Sequence, residues 1–123
     1  MTTFEVGKKL VELCKQGKYE EAMKSLYAAD IVSVEAASQP GGSPESRGIE
    51  AVVAKSKWWG ENHEIHGAKV EGPFPKGDQF IVRFTYDVTF KPESKRLTLD
   101  EGALYTVKDD KIVREEFFYS TER

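Results

Sequence analysis

The chain of 123 residues has one cysteine, Cys14, two histidines and no excess of positive charge. A lone cysteine excludes an intrachain disulfide and a cysteine-rich metal site. On an apolar helix face, Cys14 is expected to be buried and inert. Eighteen Lys and Arg against 21 Asp and Glu leave a net charge of -3, so the composition supplies no basic excess to neutralise a nucleic-acid backbone. No run reaches the roughly 18 apolar residues of a membrane span. The opening MTTFEVGKKL has no apolar signal-peptide core. The expectations are a soluble cytoplasmic protein with no nucleic-acid and no membrane partner. Phosphate-binding glycine loops of the G-x-x-x-x-G-K-[ST] and G-x-G-x-x-G kinds are absent, and no cofactor is expected. The histidines, His63 and His66 in NHEIHG, have a spacing that matches no strong metal motif. No metal is expected. One histidine should cap a helix end and the other lie on a strand, with His63 kept as a ligand-facing candidate.

The residues that are present divide the chain into one domain, 1–123, with helices early and strands late. Phe4, Val6, Leu10, Leu13 and Cys14 fall at helical spacing, and Gly17 ends that helix. A second short helix is read over 18–29. The stretch ADIVSVEAASQPGG (29–42) begins as a strand, about 31–37, with Ile31, Ser33 and Glu35 on one face. It ends in a loop, SQPGGSPESRG, long for a compact domain; such loops often sit at functional rims. A third helix, 48–62, places Ile49, Val52, Val53, Ser56 and Trp59 on one side. After a loosely alternating strand through HEIHGAKVEGPFP, the segment QFIVRFTYDVTFKP puts Phe80, Val82, Phe84, Tyr86, Val88 and Phe90 on a fully apolar face. The chain closes in a hairpin turning at KDDK, with Leu97, Leu99, Glu101, Ala103, Tyr105 and Val107 sharing one face. In its second arm Val113, Glu115, Phe117 and Tyr119 are expected to share a face. This order predicts an α+β fold: a curved antiparallel sheet with helices on its concave face. Such a cone is a pocket if side chains do not fill it. A cavity of roughly 300 Å³ or more would separate a ligand site from a filled core.

The element order, with YAADIVSVEA, SRGIEAVVAKSKWW and EGALYTVKDDKIVREEFFY, resembles the nuclear transport factor 2-like superfamily and, within it, the SnoaL-like proteins. The resemblance implies a cone-shaped, cystatin-like roll around three helices of the N-terminal half. It also implies a small-molecule pocket and, in several relatives, isomerase, cyclase or dehydratase chemistry without a cofactor. Ketosteroid isomerase carries its base late in the first strand, a position matched by Glu35. Its protonated oxyanion donor is matched near Glu101. Its helix-borne tyrosine is matched by Leu10, which cannot donate a hydrogen bond.

Alternation and resemblance together assign Glu35 and Glu101 as the candidate catalytic pair, one base and one protonated donor, in either order. A carboxyl among apolar neighbours holds its proton more tightly. The candidate substrate-binding residues are Trp59, Tyr105, Phe84, Tyr86, Glu115, Phe117, Tyr119, Ser56 and His63. Each carboxylate has a simpler alternative as a rim charge paired with Lys or Arg, and Trp59 has one as a core plug. The implied ligand is a small apolar or carbonyl-containing molecule. The mixed apolar and charged outer strand faces suit a homodimer. The competing function is a non-catalytic binding or interaction module.

Overall fold

The computed structural model describes residues 1–37 and 42–121. Most of the predicted long loop lies inside the description, but positions 38–41 fall outside the described residues. Helix α1 (Thr3–Lys15) starts at a capping box in which Thr2 and Glu5 satisfy each other's backbone N–H. Helix α2 (Tyr19–Leu26) follows after Gly17. It ends three residues before the predicted Ala29, because Tyr27 is already extended and opens strand β1 (Tyr27–Val34). The first strand thus runs earlier than 31–37, and Glu35 sits just past its end. A short strand β2 (Glu45–Arg47) interrupts the predicted loop and pairs back on β1. Helix α3 (Ile49–Asn62) is entered through Gly48, whose φ of 88° favours glycine.

Strands β3 (His63–Lys76), β4 (Gln79–Phe90), β5 (Lys95–Lys108) and β6 (Lys111–Phe118) complete a sheet in the order β2-β1-β6-β5-β4-β3. Neighbours are antiparallel except β1 and β6, which run parallel and make the sheet mixed. The hairpin turn is Asp109-Asp110, both at positive φ (51° and 66°), the backbone that matches strand twist. A register shift opposite Thr106 and Val107 inserts Val113 as an extra residue on β6. Ile112 and Glu115 are both buried as a result, and Val113 is displaced from the face it was expected to share with Glu115.

The core lies between the helices and the concave sheet face. Val6, Leu10 and Val11 of α1 meet Val70, Phe80, Val82 and Val88 there. Close approach of α1 to β3 needs Gly7, where a Cβ would lie 2.8 Å from the Pro73 side chain. This packing seals the α1 end of the cone and leaves the space under α2 and α3 as the site.

Candidate functional site

Between α1, α2, α3 and the concave sheet face lies a cavity of about 190 Å³. It is smaller than the expected threshold, but it adjoins an outer groove of about 680 Å³, and the two share Glu35, Trp59 and Glu101. Of the sequence-predicted residues, Ser56, Phe84, Tyr86, Tyr105, Glu115 and Phe117 line the inner cavity together with the shared three. His63 and Tyr119 line only the outer groove. His66 lies on β3, exposed, against the Thr89 hydroxyl at 2.7 Å. No cluster of three or more metal-ligating side chains occurs among the described residues.

The three carboxyls meet three different environments. Glu115, on β6, is 1% exposed. Parallel pairing sets Ser33 opposite Glu115, and the Ser33 hydroxyl donates to its Oε2 at 2.8 Å. The Tyr27 hydroxyl donates to its other oxygen. Burial pushes the Glu115 carboxyl up, and these two hydroxyls oppose that rise.

Glu35 is a third exposed and is met by Lys55 Nζ at 3.3 Å. The Tyr119 hydroxyl lies 3.5 Å from its other oxygen. The carboxylate is therefore ion-paired, which answers to the simpler alternative of a charge matched by Lys, although it does face the cavity. Lys55 also donates to the Ser33 hydroxyl at 2.6 Å and lies 5.4 Å from the Phe117 ring centre. A continuous polar chain thus runs from Tyr119 through Glu35, Lys55 and Ser33 to Glu115 and Tyr27.

Glu101, on β5 opposite Phe84, has neither hydrogen bond nor ion pair within the described residues. Burial first, and the Glu35 charge second, push its carboxyl up to about 7, with Lys55 opposing.

The walls are aromatic. Trp59 stacks on His63 (4.2 Å between ring centres) and tilts against Tyr86 at 5.5 Å. His63 closes α3, with its Nδ1 2.8 Å from the Trp59 carbonyl. Tyr86 and Tyr19 join hydroxyls at 3.2 Å, and burial raises both phenols. Leu10 is buried and contributes an apolar floor. Cys14 is buried beside it, its thiol pushed up to about 12 by burial.

Sequence reasoning missed Lys55, Tyr27, Tyr19 and Met23 at the cavity. A signal existed for Lys55: it lies three residues after buried Val52 and four before Trp59, on the apolar stripe of α3. Nothing local distinguishes Tyr27, because its role depends on a strand 88 residues away.

A curved sheet folded over three helices is the fold also seen in solved NTF2-like and cystatin-like structures. The chain belongs to the SnoaL-like domain family, whose profile matches residues 1–119. A Mesorhizobium loti protein, assigned as a SnoaL-like polyketide cyclase and also as a carbohydrate phosphatase, is 49% identical with a TM-score of 0.91, over 97% of this chain and 100% of that one. A Burkholderia thailandensis NTF2-like protein is 21% identical (TM-score 0.82; 98% and 92% covered). A Catenulispora acidiphila protein of ketosteroid isomerase-like fold, in complex with trimethylamine, is 20% identical (TM-score 0.73; 98% and 88% covered). The last two likenesses show the fold alone. No curated protein sequence matches the chain. No helix among the described residues is long and apolar enough to cross a membrane.

Proposed function

We propose that the protein takes a small, largely apolar organic molecule into the cone and carries out cofactor-free proton transfer on it. Glu35 is the general base and Glu101 the second acid–base group. The observation that supports this is the convergence of Glu35, Glu101 and Lys55 on one aromatic-walled cavity. Glu35 faces the cavity, where it can meet a ligand's acidic C–H. A second carboxyl that titrates near neutrality can give or hold a proton. On a β,γ-unsaturated carbonyl ligand, Glu35 takes the proton from the carbon between the carbonyl and the double bond, and the electron pair spreads into a dienolate. Glu101 or Tyr119 hydrogen-bonds the enolate oxygen, and the proton returns at another carbon. This is an isomerisation, and it becomes a cyclisation or dehydration when the enolate attacks or expels a group. With Leu10 in place of a donor on α1, steroid isomerisation lacks one of its hydrogen bonds. A phosphate monoester suits the cavity poorly, since Lys55, its one cation among the described residues, is already shared by Glu35 and Ser33.

The test is deuterium incorporation from heavy water into a bicyclic ketone such as β-tetralone. Wild type is expected to catalyse exchange next to the carbonyl. Glu35→Gln should lower the rate by at least about 100-fold while binding persists. Binding with no exchange in wild type would instead establish the alternative, a non-catalytic binding module.

A homodimer through the outer sheet face belongs to the same proposal. Phe74, Ile81, Leu104 and Glu116 follow one another across four strands on that face. Phe74 and Ile81 are exposed there, as is Phe118. Sedimentation of wild type against Ile81→Lys tests it: a wild-type dimer that dissociates in the variant supports the interface.

A further inference from the structure

The inner cavity brings three carboxyls, Glu35, Glu101 and Glu115, to a single cation, Lys55. Glu115 has two hydroxyl donors, and Glu35 has Lys55 and Tyr119. Glu101 has neither kind of partner among the described residues, yet it lines both the inner cavity and the outer groove. The outer groove adds Glu93, Asp100 and Lys95, and Asp100 is already held by Arg83 at 3.0 and 2.8 Å. An anionic ligand would deepen this imbalance, a neutral one would leave it, and a cationic one would reduce it by giving Glu101 a partner. The surrounding surfaces are the rings of Trp59, Phe84 and Tyr86. Aromatic faces beside a carboxylate in a desolvated space favour ammonium groups with apolar substituents. Lys55 already lies over Phe117 in this way.

We infer that the cavity selects a ligand carrying a tertiary or quaternary ammonium on an apolar body, held by the Glu101 carboxylate against the rings of Trp59 and Tyr86. The inference rests on the reading of the cavity as a small-molecule site. It makes the Glu101 carboxylate the anchor for such a ligand, so that of the two donors named above Tyr119 serves the enolate oxygen, and it leaves Glu35 as the base.

The titratable and charged groups that share the cavity or groove with Glu101 are Cys14 on α1, Tyr19 on α2, Tyr27 on β1, Glu35 beyond it, Lys55 on α3, His63 on β3, Tyr86 on β4, Glu93 before β5, Lys95, Asp100 and Tyr105 on β5, and Glu115 and Tyr119 at β6. Because Glu101 titrates at about 7, its carboxylate form gains population between pH 6 and 8. The probes are benzyltrimethylammonium, whose charge does not titrate, its neutral carbon isostere neopentylbenzene, and the anion phenylacetate. Dissociation constants are read from protein NMR shifts. At pH 8 the ammonium should bind about tenfold more tightly than the isostere, and phenylacetate more weakly than both. Ammonium affinity should rise about tenfold from pH 6 to pH 8, and the isostere's should stay level. Glu101→Gln should remove both the preference and the pH dependence, which separates Glu101 from His63. Equal binding of ammonium and isostere would overturn the charge selection and leave the small-molecule site standing. A preference that survives in folded Glu101→Gln would overturn Glu101 as the anchor, and wild-type pH dependence checks this without a variant. Failure of all three probes to shift cavity resonances would overturn the inference and count against the small-molecule reading as well.

Discussion

Glu115 and Glu101 stand on adjacent strands of the same closing hairpin, and both line the same cavity. Glu115 is enclosed with Tyr27 and Ser33 donating to its two oxygens. Glu101 is left with aromatic neighbours and a like charge across the cavity. A buried polar group with its hydrogen bonds made is part of the framework. Glu101 is half-buried, opens onto the outer groove and has no such bonds among the described residues. The same residue type on neighbouring strands is thus bonded into the framework in one place and open to the cavity and groove in the other.

The largest expected effect breaks the satisfied side. Glu115→Ala leaves the Tyr27 and Ser33 hydroxyls without their acceptor in a closed core, and should cost about 3 kcal/mol in urea denaturation. Opposite in sign, Glu101→Gln should stabilise the ligand-free protein by about 2 kcal/mol more at pH 8 than at pH 5. The sign follows from the raised carboxyl, at about 7 in the fold. The folded state binds more protons than the unfolded chain between about 4.5 and 7, so stability falls as pH rises through that window. A flat difference across pH would mean that Glu101 is solvated, and the contrast with Glu115 would collapse. Tyr27→Phe sharpens the comparison by removing one of the two donors to Glu115. It should cost about 1 kcal/mol and leave the Glu101 titration unmoved in carboxyl NMR. The smallest effect is electrostatic: Lys55→Met removes the cation that holds Glu101 down, so the Glu101 midpoint should move upward.

Much of the framework was readable in particular residues. Alternation from Phe80 to Phe90 reproduces the buried face of β4, and Asp109-Asp110 forms the hairpin turn. Glu35, expected late in the first strand and found just past its end, and the apolar neighbours of Glu101 and Glu115 brought three cavity carboxyls into view. The end of α2 was misread because Tyr27, Ala28 and Ala29 continue the composition of the helix, while tertiary pairing of β1 takes them as strand. The face of Val113 was misread because a bulge on β6 breaks the period of two. Lys55 was missed because a lysine within a helix reads as solvated unless the strand beneath it is known.

By itself the sequence determined the order of the longer elements, though not the short β2, together with the apolar strand faces and the absence of disulfide and phosphate-loop chemistry, since these are local periodicities or counts. Only the tertiary structure decided which acids have partners. The parallel pairing of β1 with β6 brings Ser33 to Glu115 across 82 residues, and α3 lays Lys55 between Ser33 and Glu35. No partner of comparable kind reaches Glu101 among the described residues. Partnering depends on the register between distant strands and on helix placement over them, and periodicity within a segment carries neither.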